Sequence, residues 1–295
     1  MNKTKLQVIS TLLILILISS IFMPLTVKGD EEGRKAPDGS LIVEFSCDAV
    51  TDGKYLYYCP NYQYGLTKRN LKTGKQVIIS DMIGAEALSI HGNKIYFSYM
   101  EAFGRSFDIF RMDKDGKNVE KLALGHSPTI VGKYIYYVGG KIEKDSNLEM
   151  FSSDGIYRMS LSGTDKEKVI SGEASSIVKW GSKLYYNKDY NGDYYDFDGN
   201  KLSGKIIPSL EYNSNREKYY KIKGDKVLEG SYKNGKFQYK TIATFKNESV
   251  WRIVSCGNNI LVVTRKDSDY APIGKYYLVN SKGKKTFLKK SLLAG

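Results

Sequence analysis

Gly132-Lys133-Tyr134-Ile135-Tyr136-Tyr137-Val138 decides the fold, because it is one copy of a unit that recurs along the chain. Gly53, Gly92, Gly132, Gly181, Gly224 and Gly257 each stand three residues before an aliphatic residue: Leu56, Ile95, Ile135, Leu184, Val227 and Ile260. In the first four copies two aromatics follow: Tyr57-Tyr58, Tyr96-Phe97, Tyr136-Tyr137 and Tyr185-Tyr186. Successive aliphatic anchors lie 39, 40, 49, 43 and 33 residues apart. A period of that size marks a repeat architecture in which each unit is one supersecondary module.

The third unit shows what the module is. Pro128 to Val131 reads as a first strand, Gly132-Lys133 as a turn and Tyr134 to Val138 as a second strand. A loop is expected up to Asp154-Gly155, followed by a third strand over Ile156 to Leu161, a turn at Ser162-Gly163 and a fourth strand over Glu167 to Ile170. Four short antiparallel strands in about 40 residues make the blade of a propeller. The second strand is apolar or aromatic at every position, where a half-buried strand would alternate. A strand covered on both sides by neighbouring blades needs that composition. Six units therefore predict an all-β, six-bladed β-propeller of four antiparallel strands per blade, spanning residues 41–295. Leu41 to Phe45 precedes the first unit and reads as an extra strand that could pair with the last blade and remove its open edge, while the last unit also reads as having its own fourth strand around Phe287. The fifth unit is the least regular. Lys226 to Tyr232 and Lys236 to Ile242 read as a hairpin around Asn234-Gly235.

A second recurrence accompanies the first. Arg69, Arg111 and Arg158 each lie five residues before a glycine: Gly74, Gly116 and Gly163. The same offset in three blades points to a structural role, such as an ion pair between blades. Taken together, G-x-x-[LIV]-Y-[YF] and the following arginine–glycine element resemble the secreted bacterial six-bladed propellers of the YWTD, low-density-lipoprotein-receptor-like type. The resemblance covers about residues 47–290 and weakens at Val227-Leu228-Glu229 and Ile260-Leu261-Val262, where the aromatics are lost. It implies an extracytoplasmic binding protein without catalytic activity, since the motif residues build blades.

Composition narrows the partners. The chain has 295 residues, and 41% apolar content is enough for a packed core. Residues 1–29 read as a signal peptide: Lys3 and Lys5 precede an apolar run from Val8 to Leu25, with Val27 and Gly29 placed for cleavage. An uncleaved anchor is the alternative, because the run approaches a membrane span in length. Residues 30–40 form a polar linker. Past residue 29, 42 basic residues face 32 acids, a surplus that suits anionic surroundings. Export makes nucleic acid the least suitable of these, leaving an anionic cell-wall polymer, a glycan or a protein partner, with no membrane contact after cleavage. The protein is expected to be secreted or surface-associated, and monomeric.

Catalytic and metal chemistry find little support. Cys47, Cys59 and Cys256 allow at most one disulfide, and ring closure makes Cys47–Cys256 the pair to consider. With two histidines, His91 and His126, and no CxxC, a zinc site cannot be assembled, and no cofactor is expected. Asp189 to Asp196 alternates oxygen side chains as calcium loops do, but Asn200 stands where a closing glutamate would be, and a polar turn explains it more simply. There is no GxSxG and no glycine-rich phosphate loop. Abundant loop carboxylates leave one alternative of another class, a polysaccharide-active hydrolase or lyase.

Two surfaces are candidates for binding. The turns between first and second strands carry Lys54, Lys94, Lys133, Lys183 and Lys226, which together would make one face of the ring basic. Lysine is also a well-solvated turn residue, and aspartates lie nearby. The loops of the opposite face carry Tyr62, Tyr64, Tyr99, Phe103, Tyr190, Tyr194 and Tyr270, which either stack on a ligand or fold back as covers over the blades.

Overall fold

A computed structural model describes residues 41–43, 49–59, 65–82, 84–100, 107–145, 148–180, 183–188, 193–202, 206–208, 212–213, 218–233, 236–256, 259–265 and 273–292. The chain is an all-β, six-bladed propeller. Blade one comprises β2 (Ala49–Thr51), β3 (Tyr55–Tyr58), β4 (Thr67–Asn70) and β5 (Gln76–Ile78), after a short β1 (Leu41–Val43). Blade two comprises β6 (Ala85–His91), β7 (Lys94–Met100), β8 (Phe107–Asp113) and the first half of β9 (Glu120–Val131). The second half of β9 opens blade three, which continues with β10 (Tyr134–Asp145), β11 (Leu148–Ser160) and β12 (Glu167–Ser171). Blade four holds β13 (Ser176–Trp180), β14 (Lys183–Asn187) and β15 (Tyr194–Asp196), with an outer bridge from Tyr195 to Lys201. After β16 (Ile206–Pro208), blade five comprises β17 (Tyr212–Asn213), β18 (Lys218–Lys223), β19 (Lys226–Lys233) and β20 (Lys236–Thr244). Blade six comprises β21 (Ser249–Cys256), β22 (Asn259–Arg265), β23 (Ile273–Asn280) and β24 (Lys285–Leu292).

The doubly apolar second strands do what their composition requires. Along β3, Leu56 and Tyr58 face blade six, packing with Val254, Leu261 and Val263. Tyr57, between them, faces blade two and packs with Ile95, Phe97 and Met112. In β7, Ile95 and Phe97 look back at blade one while Tyr96 looks forward to Ile135 and Tyr137 of blade three. In β10, Tyr136 and Val138 turn towards Ile177 and Tyr186 of blade four. Alternate side chains of one strand thus belong to different inter-blade cores, the two-residue period of the pleat made into a ring.

Blade five departs from the expected phasing. Its hairpin around residues 234–235 forms as anticipated, with Lys233 opposite Lys236, but β19 and β20 are the third and fourth strands rather than the second and third. Three observations agree on this. The sheet order places β17 and β18 before them. A register shift at Val227/Leu228 matches those in the third–fourth pairs at Ile109/Phe110, Ile156/Tyr157 and Tyr276/Tyr277. Tyr220 of β18 faces blade six as Tyr57 and Tyr96 face their own next blades. Gly224 therefore belongs to a second–third turn. A two-residue hairpin with a positive-φ glycine fits either end of a strand, so the local pattern alone does not tell them apart.

Two further expectations change. β1 pairs in parallel with β16, from Leu41–Ile206 to Val43–Pro208, and not with the last blade. Blade six carries its own fourth strand, β24, as the reading around Phe287 expects, and its seam with blade one is closed by side-chain packing. The loop expected before Asp154 is instead a strand pair running out to Asp145–Leu148. Its exposed part carries opposite charges across the strands, with Lys144 Nζ 2.8 Å from Glu149 Oε1.

The recurring arginine–glycine element is an inter-blade device. Arg111 lies directly opposite Glu120, Arg158 opposite Glu167 and Arg69 opposite Gln76, and each side chain contacts its partner within the same blade. The link to the next blade is a hydrogen bond instead: Arg111 Nη1 donates to the Leu161 carbonyl at 2.7 Å, and Lys68 Nζ of blade one donates to the Lys114 carbonyl at 3.0 Å. The glycine five residues on lets the turn approach the preceding blade. A Cβ on Gly116 would lie 1.8 Å from the Ile79 carbonyl oxygen, and Gly116 has φ +88°. Gly283 meets the Ile242 carbonyl oxygen in the same way, at 2.2 Å, whereas Gly163 meets the Leu122 side chain, at 2.8 Å.

Gly74, at the equivalent turn of blade one, has φ +75° but, among the described residues, would meet only its own Arg69 guanidinium, at 3.2 Å. Gly74→Ala is therefore expected to cost about 1–2 kcal/mol, the backbone term alone. Gly116→Ala should cost roughly 1–3 kcal/mol more, because blade one must also give way. Urea unfolding of the two variants checks the difference.

Candidate functional site

The meander sorts the connections onto two ends of the ring. First–second and third–fourth turns share one end, here called the turn end. Second–third loops and blade-to-blade crossings share the other, the loop end.

At the turn end, hairpins project Lys54, Lys94, Lys133 and Lys183 from blades one to four. Lys54 Nζ sits 5.2 Å from the Tyr55 ring centroid and Lys133 Nζ 5.3 Å from that of Tyr134. These stems lie along aromatic faces with their ammonium groups in solvent. Lys183 is exposed. Lys94 is engaged differently, 2.7 Å from Asp113 Oδ1, and together with Asn118 it holds the Asp113 carboxyl below its usual range. The third–fourth turns add exposed Lys72, Lys75, Lys117, Lys166, Lys282 and Lys284. Opposing them are Asp52, Asp113, Asp115, Asp165 and Asp198, of which Asp52 pairs with Lys114 at 3.1 Å and Asp115 with Lys117 at 3.6 Å. Burial works to raise the Asp52 carboxyl, but the backbone N–H groups of Tyr55 and Lys54 and the Lys114 ammonium outweigh it and hold the group low. Lys226 follows Gly224 at a second–third turn, so it lies at the loop end, apart from the other four.

The loop end contains a cavity of about 610 Å³ between blades two, three and four. Glu86 reaches it from β6, Phe107 from β8, and His126 and Ser127 from the crossing inside β9. Glu143 and the run Met150 to Ser153 come from the long hairpin of blade three, and Glu173 to Ser175 from the crossing into blade four. Ala87 and Ser127, which follow Glu86 and His126, hold φ of +55° and +54° without being glycine. Residues in this left-handed region cost about 1–3 kcal/mol and recur at functional sites. They bend the first strands at the cavity wall, where the β6–β7 and β9–β10 registers both shift.

His126 is the electrostatic feature of the wall. Its ring packs on Phe107 and Phe151, with centroids 5.1 and 5.5 Å away, and those two phenyl groups meet edge-on at 5.8 Å. Burial alone pushes the imidazole down to about 4. His126 Nδ1 lies 3.0 Å from Ser127 Oγ. The neutral ring thus contacts the Ser127 hydroxyl at the cavity wall. Glu143 Oε1 accepts from Lys141 at 2.9 Å, and Ser153 Oγ accepts from the Ala174 N–H at 3.1 Å. Among the described residues, no group of three or more His, Cys, Asp or Glu side chains is placed to hold a metal.

The remaining sequence candidates divide plainly. Tyr99 is half-buried in the core between blades one and two, edge-on to Phe110 at 6.1 Å. Tyr194 packs beside Val178, Tyr185 and Leu202, and its phenol is raised by burial, partly offset by a hydrogen bond with Ser176. Both therefore act as covers. Tyr62, Tyr64, Phe103, Tyr190 and Tyr270 lie outside the described residues, as do residues 1–40, Cys47 and the side chain of Cys256. In the supposed calcium loop, Asp196 accepts from the backbone N–H groups of Asp198 and Asn200, and Asp193 pairs with Lys201 at 2.6 Å. Their oxygens are engaged in the turn. Sequence reasoning missed the cavity because its residues come from five separate segments with no common spacing. The non-alternating Gly125-His126-Ser127-Pro128 is the one local trace of it.

No protein-family model matches the chain, and no curated protein matches it. Solved structures similar to it contain β-propeller domains. Nidogen in its complex with laminin is 10% identical, with 86% of this chain and 80% of that one covered and a TM-score of 0.35. The propeller domain of the Trilobed protease from Pyrococcus furiosus is 13% identical over 84% of this chain and 98% of that one, with a TM-score of 0.36. TolB from Acinetobacter baumannii is 12% identical over 85% of this chain, with a TM-score of 0.37; the match spans 54% of TolB.

His126 makes stability depend on pH. The unfolded imidazole, near 6.5, binds a proton that the folded one refuses until about pH 4, so the unfolded state holds more protons in that window. The contribution is complete above pH 6.5 and is lost as pH falls towards 4, by roughly 2–3 kcal/mol at pH 4.5. His126→Phe is expected to flatten the fall in urea stability between pH 7.5 and 4.5 by that amount.

Proposed function

We propose that this protein is an exported, non-catalytic binding propeller of the YWTD-like type, and that its turn end engages an extended anionic polymer such as a cell-wall polymer or an acidic glycan. One observation carries the reading. Hairpins of fixed geometry project lysines around one end of a rigid ring, and Lys54, Lys133 and Lys183 stand in solvent there. A rim of spaced ammonium groups suits a flexible polyanion, whose bound counterions are released as each lysine replaces one. Specificity for one small anion would require convergent donors in a pocket, a different design. An export segment over residues 1–29 would place the partner outside the cytoplasm.

The triple variant Lys54→Ala/Lys133→Ala/Lys183→Ala is expected to elute from immobilised heparin at clearly lower salt than the parent protein. Lys226→Ala, at the other end of the ring, should leave elution nearly unchanged. Equal shifts for the two variants, after allowance for charge removed, or no shift for the triple variant, would reject the reading.

A further inference from the structure

The loop-end cavity has a chemistry opposite to the rest of the surface. The chain holds 45 lysines and arginines, yet among the described residues none lines this cavity. Its charged lining is Glu86, Glu143 and Glu173, of which Glu143 also accepts from Lys141 just outside the lining, at 2.9 Å. The other lining residues are Ser127, Ser152, Ser153 and Ser175, the last with its hydroxyl donated to Asn187, together with Phe107, Phe151, the His126 ring and the half-exposed side chain of Met150. Its volume of about 610 Å³ falls in the range that small organic ligands occupy.

Each component restricts the occupant. Carboxylates exclude an anion and favour a cation. Aromatic rings and a thioether favour an apolar stem, and a ring face attracts an ammonium group besides. Acceptor hydroxyls favour a cation with N–H groups to donate, which a quaternary ammonium lacks. A bare metal ion would leave the aromatic wall unused.

We propose that this cavity binds a small organic cation, a primary alkylammonium whose apolar stem lies against Phe107, Phe151 and Met150 and whose charged end is held by the glutamates. The neutral state of His126 at physiological pH fits this occupant, since an imidazolium in the wall would repel it. This site is at the opposite end of the ring from the lysine rim and stands or falls separately from it.

Met150 supplies the readout. Its methyl resonance, assigned with Met150→Leu in protein labelled with ¹³C-methyl methionine, reports on the cavity directly. The full chain is titrated with pentylammonium and, separately, with pentanol, which keeps the stem and loses the charge. Pentylammonium is expected to shift the Met150 methyl saturably and to bind about tenfold more tightly than pentanol. Glu143→Gln/Glu173→Gln, at two exposed positions, should remove most of that preference while leaving pentanol binding in place. Lys54→Ala/Lys133→Ala/Lys183→Ala should leave both titrations unchanged. Equal affinity for the alcohol and the ammonium, a Met150 methyl that does not respond, or a preference that survives the glutamine variant would each overturn the proposal. The comparison of the two ligands on the parent protein is decisive even if a variant fails to fold.

Discussion

Burial of the second strands on both faces is the constraint from which the rest of this molecule follows. Leu56, Tyr57 and Tyr58 are each fully buried, yet they belong to two cores on opposite sides of one sheet. Removing such a side chain from water is worth about 1.5–3 kcal/mol, and no isolated blade can obtain that on both sides. A blade is therefore stable only between neighbours, and a row of blades ends its two exposed faces by closing on itself.

Polar contacts set how the blades sit once the apolar cores bring them together. A third-strand cation reaches forward to a turn carbonyl in the next blade, as Lys68 does to Lys114 and Arg111 to Leu161. The glycine of that turn backs onto the fourth strand of the blade before it. Between blades six and one, among the described residues, Gly74 meets its own Arg69, and Ala49, Leu56 and Tyr58 pack against Val254, Leu261 and Val263. Because the last blade is completed by its own β24, this seam depends on the apolar cluster without an exchanged strand. Among the described residues no strand is shared across this seam, and the buried tyrosine and leucines carry the closure.

The two ends of the ring differ for a topological reason. Short hairpins need turn-forming residues, and in this chain lysine accompanies them repeatedly, so the turn end becomes basic. Longer second–third loops and crossings meet at the loop end, where bent first strands at Ala87 and Ser127 open a cavity that no lysine or arginine lines among the described residues. One scaffold thus presents a dispersed cationic rim and a concentrated acidic, aromatic pocket.

Much of this architecture is legible in the residues themselves. Hydrophobicity on both faces of Tyr134 to Val138, repeated with glycine at a fixed offset, requires strands sandwiched between like units, since burial acts on composition whatever the partner. The phasing of blade five is not legible, because Gly224 makes the same hairpin at a second–third turn that Gly92 makes at a first–second one. Lys226 accordingly belongs to the opposite end from the lysines it resembles in sequence. The pairing of β1 with β16 and the cavity around His126 join segments far apart in the chain. Local pattern encodes which residues must be buried and how often a turn comes; which blade covers them, and which loops converge, is decided by ring closure, a contact among all six units at once.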